Sequence, residues 1–178
     1  TESWEDPVSI NSINRPELDH IGSFCLSYDG NLVVFASRRT PTIGNFDIFI
    51  SEKAGNYWTQ PKNPGKPLNS PGNEGNPSLS PDGKSIYFTR CESMNLNSKS
   101  NCSIFVSHRL TPTRWSEPEK LPPAINMGHE TTPRIMADNK TLVFASRRAG
   151  GKGKLDLYQS TIKNKTWSQP RALSYVNT

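Results

Sequence analysis

Three markers advance together along the chain, and they predict an all-β fold made of β-propeller blades of four antiparallel strands. The first is a turn, at Ser27-Tyr28-Asp29-Gly30, Ser80-Pro81-Asp82-Gly83 and Met136-Ala137-Asp138-Asn139, each followed by a short apolar run. The second is Trp with Pro three residues on, at Trp4, Trp58, Trp115 and Trp167. The third is an apolar residue before Asn, at Ile13-Asn14, Leu68-Asn69, Ile125-Asn126 and Val176-Asn177. The tryptophans lie 54, 57 and 52 residues apart, a period that means stacked modules or propeller blades. No stretch sustains the i, i+3, i+4, i+7 apolar spacing of a helix.

Each module reads in the same order. A short inner strand (77–80 in the middle copy) enters the Asp turn, where Pro presets φ, Asp bonds the backbone ahead and Gly takes the left-handed position. In the third copy Asn139 fills that position, as the next most tolerant residue. A second, more apolar strand follows (85–90), then a variable loop and a third strand at 47–51, 103–107 and 156–160. Another turn leads to a fourth strand starting at Trp58, Trp115 or Trp167, and a Pro/Asn-rich crossing ends the module. The expected division is 1–14 as the outer strand of a preceding blade, then blades at 15–69, 70–126 and 127–178. Four Trp strands against three copies of the others predict part of a larger propeller, either an excerpt of a longer chain or half of an assembled ring, because closure protects sheet edges.

Composition agrees with many strands and many turns: 33% hydrophobic residues, 15 Pro and 12 Gly in 178 residues, mean hydropathy −0.67. No run of about 18 apolar residues exists, so no helical span is expected. The lack of an initiator Met and of a signal peptide suggests mature or excerpted material. Net charge is +5 with the cations interspersed among 16 acids; the one tight basic cluster is Arg147, Arg148, Lys152 and Lys154. Without an aromatic stacking platform, that cluster reads as a solvated loop rather than a nucleic-acid site. The three cysteines form no C-x-x-C and no zinc pattern, and Cys25 reads as a small buried hydrophobe. A lone Asp at each turn gives too few oxygens for calcium. His20 and His129 stand at equivalent inner-strand entrances, facing the central funnel or lying in ordinary loops. There is no G-x-S-x-G elbow and no metalloprotease spacing, so no catalytic residue, metal or cofactor is expected.

The pattern S-P-D-G-K-x-Ψ-Y-F (Ψ apolar), then D-Ψ-Y/F, W-x-x-P and Ψ-N, resembles the WD40-like PD40 repeat of TolB-type propellers. The form with W-S-x-P and I-N is most similar to propellers of Bacteroidota outer-membrane-associated lipoproteins, which sit beside tetratricopeptide and peptidoglycan-binding OmpA-like domains and include type 9 secretion and gliding components. The resemblance implies a non-enzymatic interaction scaffold, periplasmic or outer-membrane-associated, with protein partners. It implies no nucleic acid, no direct membrane span, and peptidoglycan association only through another domain. The alternative is a propeller that binds a carbohydrate or peptide ligand or gates a hydrolase domain. The turn differs from the sialidase Asp-box, S-x-D-x-G-x-T-W, which weighs against glycoside hydrolysis.

The resemblance also assigns residues. The family's inner-strand Glu and Pro match Glu74 with Pro77 and Glu130 with Pro133, whereas the first module has Ile21 and Phe24 there. An Arg after the second strand and an Asp opening the third match Arg38/Asp47 and Arg147/Asp156, expected as cross-strand ion pairs. In the middle module Cys91 and Ser103 take those places and Cys102 precedes Ser103. That substitution suggests a Cys91–Cys102 disulfide in an oxidising compartment, the alternative being two free thiols. The inserts 39–45, 92–101 and 149–154 all follow second strands and are candidate contact loops on one face.

Overall fold

The computed structural model describes residues 4–14, 21–92 and 101–177, and among them every regular element is a β-strand. Three antiparallel sheets follow one another. Blade 1 orders β1 (Ile21–Leu26), β2 (Leu32–Ser37), β3 (Asp47–Ala54) and β4 (Tyr57–Trp58). Blade 2 orders β5 (Asn73–Leu79), β6 (Ser85–Cys91), β7 (Cys102–Thr111) and β8 (Arg114–Trp115), with β9 (Glu119–Lys120) also on β7. Blade 3 repeats this with β10 (Glu130–Ile135), β11 (Thr141–Ser146), β12 (Asp156–Lys163), β13 (Thr166–Trp167) and β14 (Arg171–Ala172).

The inner turns form as their chemistry dictates. Gly30, Gly83 and Asn139 have φ of 69°, 66° and 53°, and their N–H groups close onto Ser27, Ser80 and Met136 carbonyls at 2.9, 2.8 and 3.0 Å. The Asp carboxylate accepts the N–H two residues ahead, from Asn31, Lys84 and Lys140. A hydroxyl completes each acid's shell, from Ser27, Ser80 or, where Met136 replaces the serine, Thr141. These hydrogen bonds, the hydroxyl's first, hold the carboxyls of Asp29, Asp82 and Asp138 below the usual aspartate range.

The fourth strand is broken, for a reason written in its sequence. Pro61, Pro118 and Pro170 cannot donate to a ladder. The Thr or Ser after each Trp bridges the gap: Thr59, Ser116 and Ser168 hydroxyls accept N–H groups of the third strand at 3.0, 2.9 and 3.1 Å. Their carbonyls take the Ser51, Ser107 and Ser160 hydroxyls at 2.6, 2.8 and 2.7 Å. The apolar-Asn marker is a clasp. Asn69, Asn126 and Asn177 each accept the N–H and donate to the C=O of Ile48, Ile104 and Leu157 in their own third strand, at 2.8 to 3.1 Å.

The core lies between blades. Val34 and Ile48 of blade 1 and Leu68 of its crossing meet Ile86, Phe88 and Trp115 of blade 2; Ile104 and Ile125 meet Leu142, Phe144 and Trp167 of blade 3. Blade 1's other face buries Phe35 and Phe49 against Ile13. Residues 4–14, expected to be an outer strand, contain none: Trp4 is fully exposed, whereas Trp115 and Trp167 are buried. All three third strands carry their own Trp strand, so among the described residues the Trp4 segment has no strand to pair with, and Ile13 docks against blade 1.

Candidate functional site: the loop face of the blades

Second strands end and third strands begin at one end of the sheets, where the inner strands also enter. At that end an arginine caps a pair of stacked rings in every blade. Arg39 lies over Phe35 and Phe49, Arg90 over Phe88 and Phe105, and Arg148 over Phe144 and Tyr158, at 4.8 to 5.5 Å from the ring centres. Each guanidinium also donates to the carbonyl of the apolar residue in the preceding crossing: Ile13 at 2.6 Å, Leu68 at 2.9 Å and Ile125 at 2.5 Å. The arginine thus pins the rings of one blade to the end of the chain segment before it.

In blades 2 and 3 a buried glutamate completes the set. Glu74 accepts Nε of Arg90 at 2.7 Å and the Ser70 hydroxyl at 2.5 Å; burial pushes its carboxyl up, against the lowering pull of Ser70 and Arg90. Glu130 accepts the Ser146 hydroxyl at 2.9 Å and the N–H groups of Met127 and Gly128, with Arg148 at 3.6 Å. Desolvation pulls the Arg148 guanidinium down, opposed by the Glu130 charge. Both glutamates are therefore consumed by the fold.

The expected Arg38–Asp47 and Arg147–Asp156 pairs do not form. Ser37 and Ser146 are the residues opposite Asp47 and Asp156, so each Arg is one rung beyond and its side chain projects from the other face. The acids turn instead to nearby backbone: Asp47 takes the N–H groups of Ile43 and Gly44 at 2.7 and 3.0 Å plus Asn63 Nδ2 at 2.7 Å, and Asp156 takes Gly153 N–H at 3.0 Å. A Cβ on Gly151 would collide with the Asp156 carboxylate, so this wrapped loop needs glycine. Arg38 lies 4.4 Å over the Phe46 ring, and Arg147 is exposed.

Cys91 and Cys102 face each other in register across β6 and β7, bonded as a disulfide with Cα atoms 4.2 Å apart. Cys25 is half-buried in the junction of blades 1 and 2, and its Sγ accepts Leu79 N–H at 3.4 Å. His20 lies outside the described residues. His129 lines a cleft of about 470 Å³ at the junction of blades 2 and 3, beside Met127, Arg147, Arg148 and Asn101. A second recess, of about 220 Å³, opens by the inner strands between Phe46, Asn73, Asn76, Thr89 and Thr131. There Asn76 and Thr132 hold φ of 50° and 52° at the bulges of β5 and β10, and their N–H groups bond Ser23 and Thr89 of the blade before. Among the described residues no three metal-ligating side chains gather.

No family model matches the chain, and no curated protein sequence matches it. Solved structures do. TolB from Acinetobacter baumannii is 22% identical over 85% of this chain, TM-score 0.57, and the putative TolB from Agrobacterium tumefaciens 19% identical over 82%, TM-score 0.51. A prolyl endopeptidase is 17% identical over 93%, TM-score 0.51. The chain spans 32%, 44% and 23% of those three proteins. At such identities the shared property is architecture: these are β-propeller blades, similar in fold to those of TolB.

Proposed function

We propose that the chain is a non-enzymatic protein-interaction part of a larger propeller, working in the periplasm or at the outer membrane through the loop face. The observation that carries this is how the loop face uses its acids. Asp47, Glu74, Glu130 and Asp156 are all buried and bonded within the fold, which supports rigid blades presenting variable loops, with Glu92 the one exposed acid among the described residues between second and third strands. The Cys91–Cys102 bond supports an oxidising compartment, and the likeness to TolB supports an envelope setting. In its finer form the setting is a Bacteroidota outer-membrane complex, type 9 secretion or a peptidoglycan-linked assembly. A photo-crosslinking residue at position 38 or 147, in cells expressing the chain within its natural protein, tests the reading. Crosslinks to an envelope protein are expected; a protein confined to the cytosol with both thiols alkylatable overturns it.

The second reading is a ligand-binding or hydrolase-gating propeller. The recess by the inner strands favours it, with the Phe46 ring beside the amides of Asn73 and Asn76. Retention on immobilised oligosaccharide or peptide, lost in Asn76→Ala, would select it.

A further inference from the structure

On the loop face exposed cations stand without cross-strand carboxylates, because the expected pairings do not form. Among the described residues between second and third strands, Arg39 and Arg148 are committed to ring stacks and backbone carbonyls. The exposed charges left are Arg38, Arg147, Lys152 and Lys154 against the single carboxylate of Glu92. Asp47 and Asp156, which would have neutralised Arg38 and Arg147, are taken up by loop N–H groups. The cations concentrate in blade 3, where Arg147 and buried Arg148 border the cleft of about 470 Å³. Met127, three-quarters exposed, forms an apolar wall of the same cleft, and the Asn101 side is anchored by Cys102 in its disulfide.

We infer that this cleft between blades 2 and 3 binds an acidic peptide segment, in which carboxylates meet Arg147 and apolar side chains lie on Met127. This rests on the interaction reading above and names the class of partner. The chemistry of the walls makes the choice. A guanidinium presents a planar fork that matches a carboxylate in two hydrogen bonds. Exposed methionine accommodates varied apolar side chains. A nucleic acid would need a platform of stacking surfaces, and the cleft offers no Phe, Tyr or Trp, its one ring being the His129 imidazole. Lys152 and Lys154 sit on the adjoining loop, where they add long-range attraction for an acidic chain.

The test uses a short fluorescein-labelled peptide of alternating glutamate and leucine, its glutamine counterpart, and fluorescence anisotropy with the chain in its natural protein. The glutamate peptide binds and the glutamine peptide does not. Arg147→Glu weakens binding about tenfold, while Lys163→Glu, at the far end of β12, leaves it unchanged; matched thermal midpoints show both variants folded. Equal binding of the two peptides overturns the inference, as does equal loss in both variants, which would report net charge alone. Displacement by an oligothymidylate at matched charge overturns it in favour of a general polyanion surface. The two readings separate cleanly. If Arg147→Glu abolishes peptide binding yet the crosslinked envelope partner persists, the cleft is not the contact used and the interaction reading stands. If the peptide binds as stated and no envelope protein crosslinks at position 38 or 147, the cleft stands and the envelope reading fails.

Discussion

Nε of Arg90 donates to the Glu74 carboxylate at 2.7 Å, joining a fully buried acid to an arginine one-fifth exposed. Removing one partner of such a pair strands the other. Glu74→Ala is expected to cost about 3 kcal/mol, the lower end for breaking a buried pair because Arg90 keeps some water. Urea unfolding with the wild-type m-value measures it; a loss below about 1 kcal/mol would show the pair to be superficial.

The acids of this protein respond to pH in opposite senses. Burial raises Glu74, so its contribution to stability is full below the unfolded value of 4.5 and is lost as pH rises through the folded value. The penalty of Glu74→Gln should therefore grow as pH falls from 7 toward 4.5. The turn acids are lowered, so their contribution is present above the unfolded value of 3.8 and disappears as pH falls through the folded values. Asp82→Asn should lower the thermal midpoint at pH 7 and converge with wild type in strong acid. Thermal midpoints across pH 3 to 7 check both signs.

The disulfide closes a short loop, with its cysteines 11 residues apart. Loop-closure entropy puts its worth at up to about 3 kcal/mol. Reductant should lower the thermal midpoint of the wild type and leave that of a Cys91→Ser/Cys102→Ser double variant unmoved. Mass spectrometry after alkylation without reductant should find Cys25 as the one modified thiol; three modified thiols would place the chain in a reducing compartment.

The asparagine clasps differ in what they protect. Asn126 serves both backbone groups of Ile104, which is fully buried, whereas Asn177 serves Leu157, which is partly exposed. Asn126→Ala strands two buried groups and should cost about 1–3 kcal/mol for each. Asn177→Ala should cost less, because water can reach its partners. Amide exchange at Ile104 should quicken in the first variant.

The parts of this fold that are legible in the sequence are those whose physics is local. Ser80-Pro81-Asp82-Gly83 makes its turn from its own atoms, and the 53-residue step from Asp29 to Asp82 announces the repeat. The loop-face charges are not legible from the repeat alignment, because their partners are set by rung and not by column. Aligning from Phe35, Phe88 and Phe144 selects Arg38, Cys91 and Arg147, yet the ring caps are Arg39, Arg90 and Arg148, at four, two and four residues beyond the Phe. Blade 2 reaches the same point from a different position. A signal existed in the adjacent Arg pairs at 38–39 and 147–148, where one member stacks inward and the other faces solvent. The Trp4 motif, identical in pattern to its three copies, makes no strand here, because a strand is a property of two segments.

The arginine that fastens each crossing belongs to the blade after it: Arg39 to Ile13, Arg90 to Leu68, Arg148 to Ile125. Chains are made from the N-terminus, and repeat modules gain stability mainly from their neighbours. Blades 1 and 2 are therefore finished by residues synthesised later than themselves. Blade 2 waits, with the Ile125 carbonyl undocked, until β11 has emerged and Arg148 has swung onto it. A nascent chain halted between Asn126 and Arg148 would carry its weakest point at its newest end.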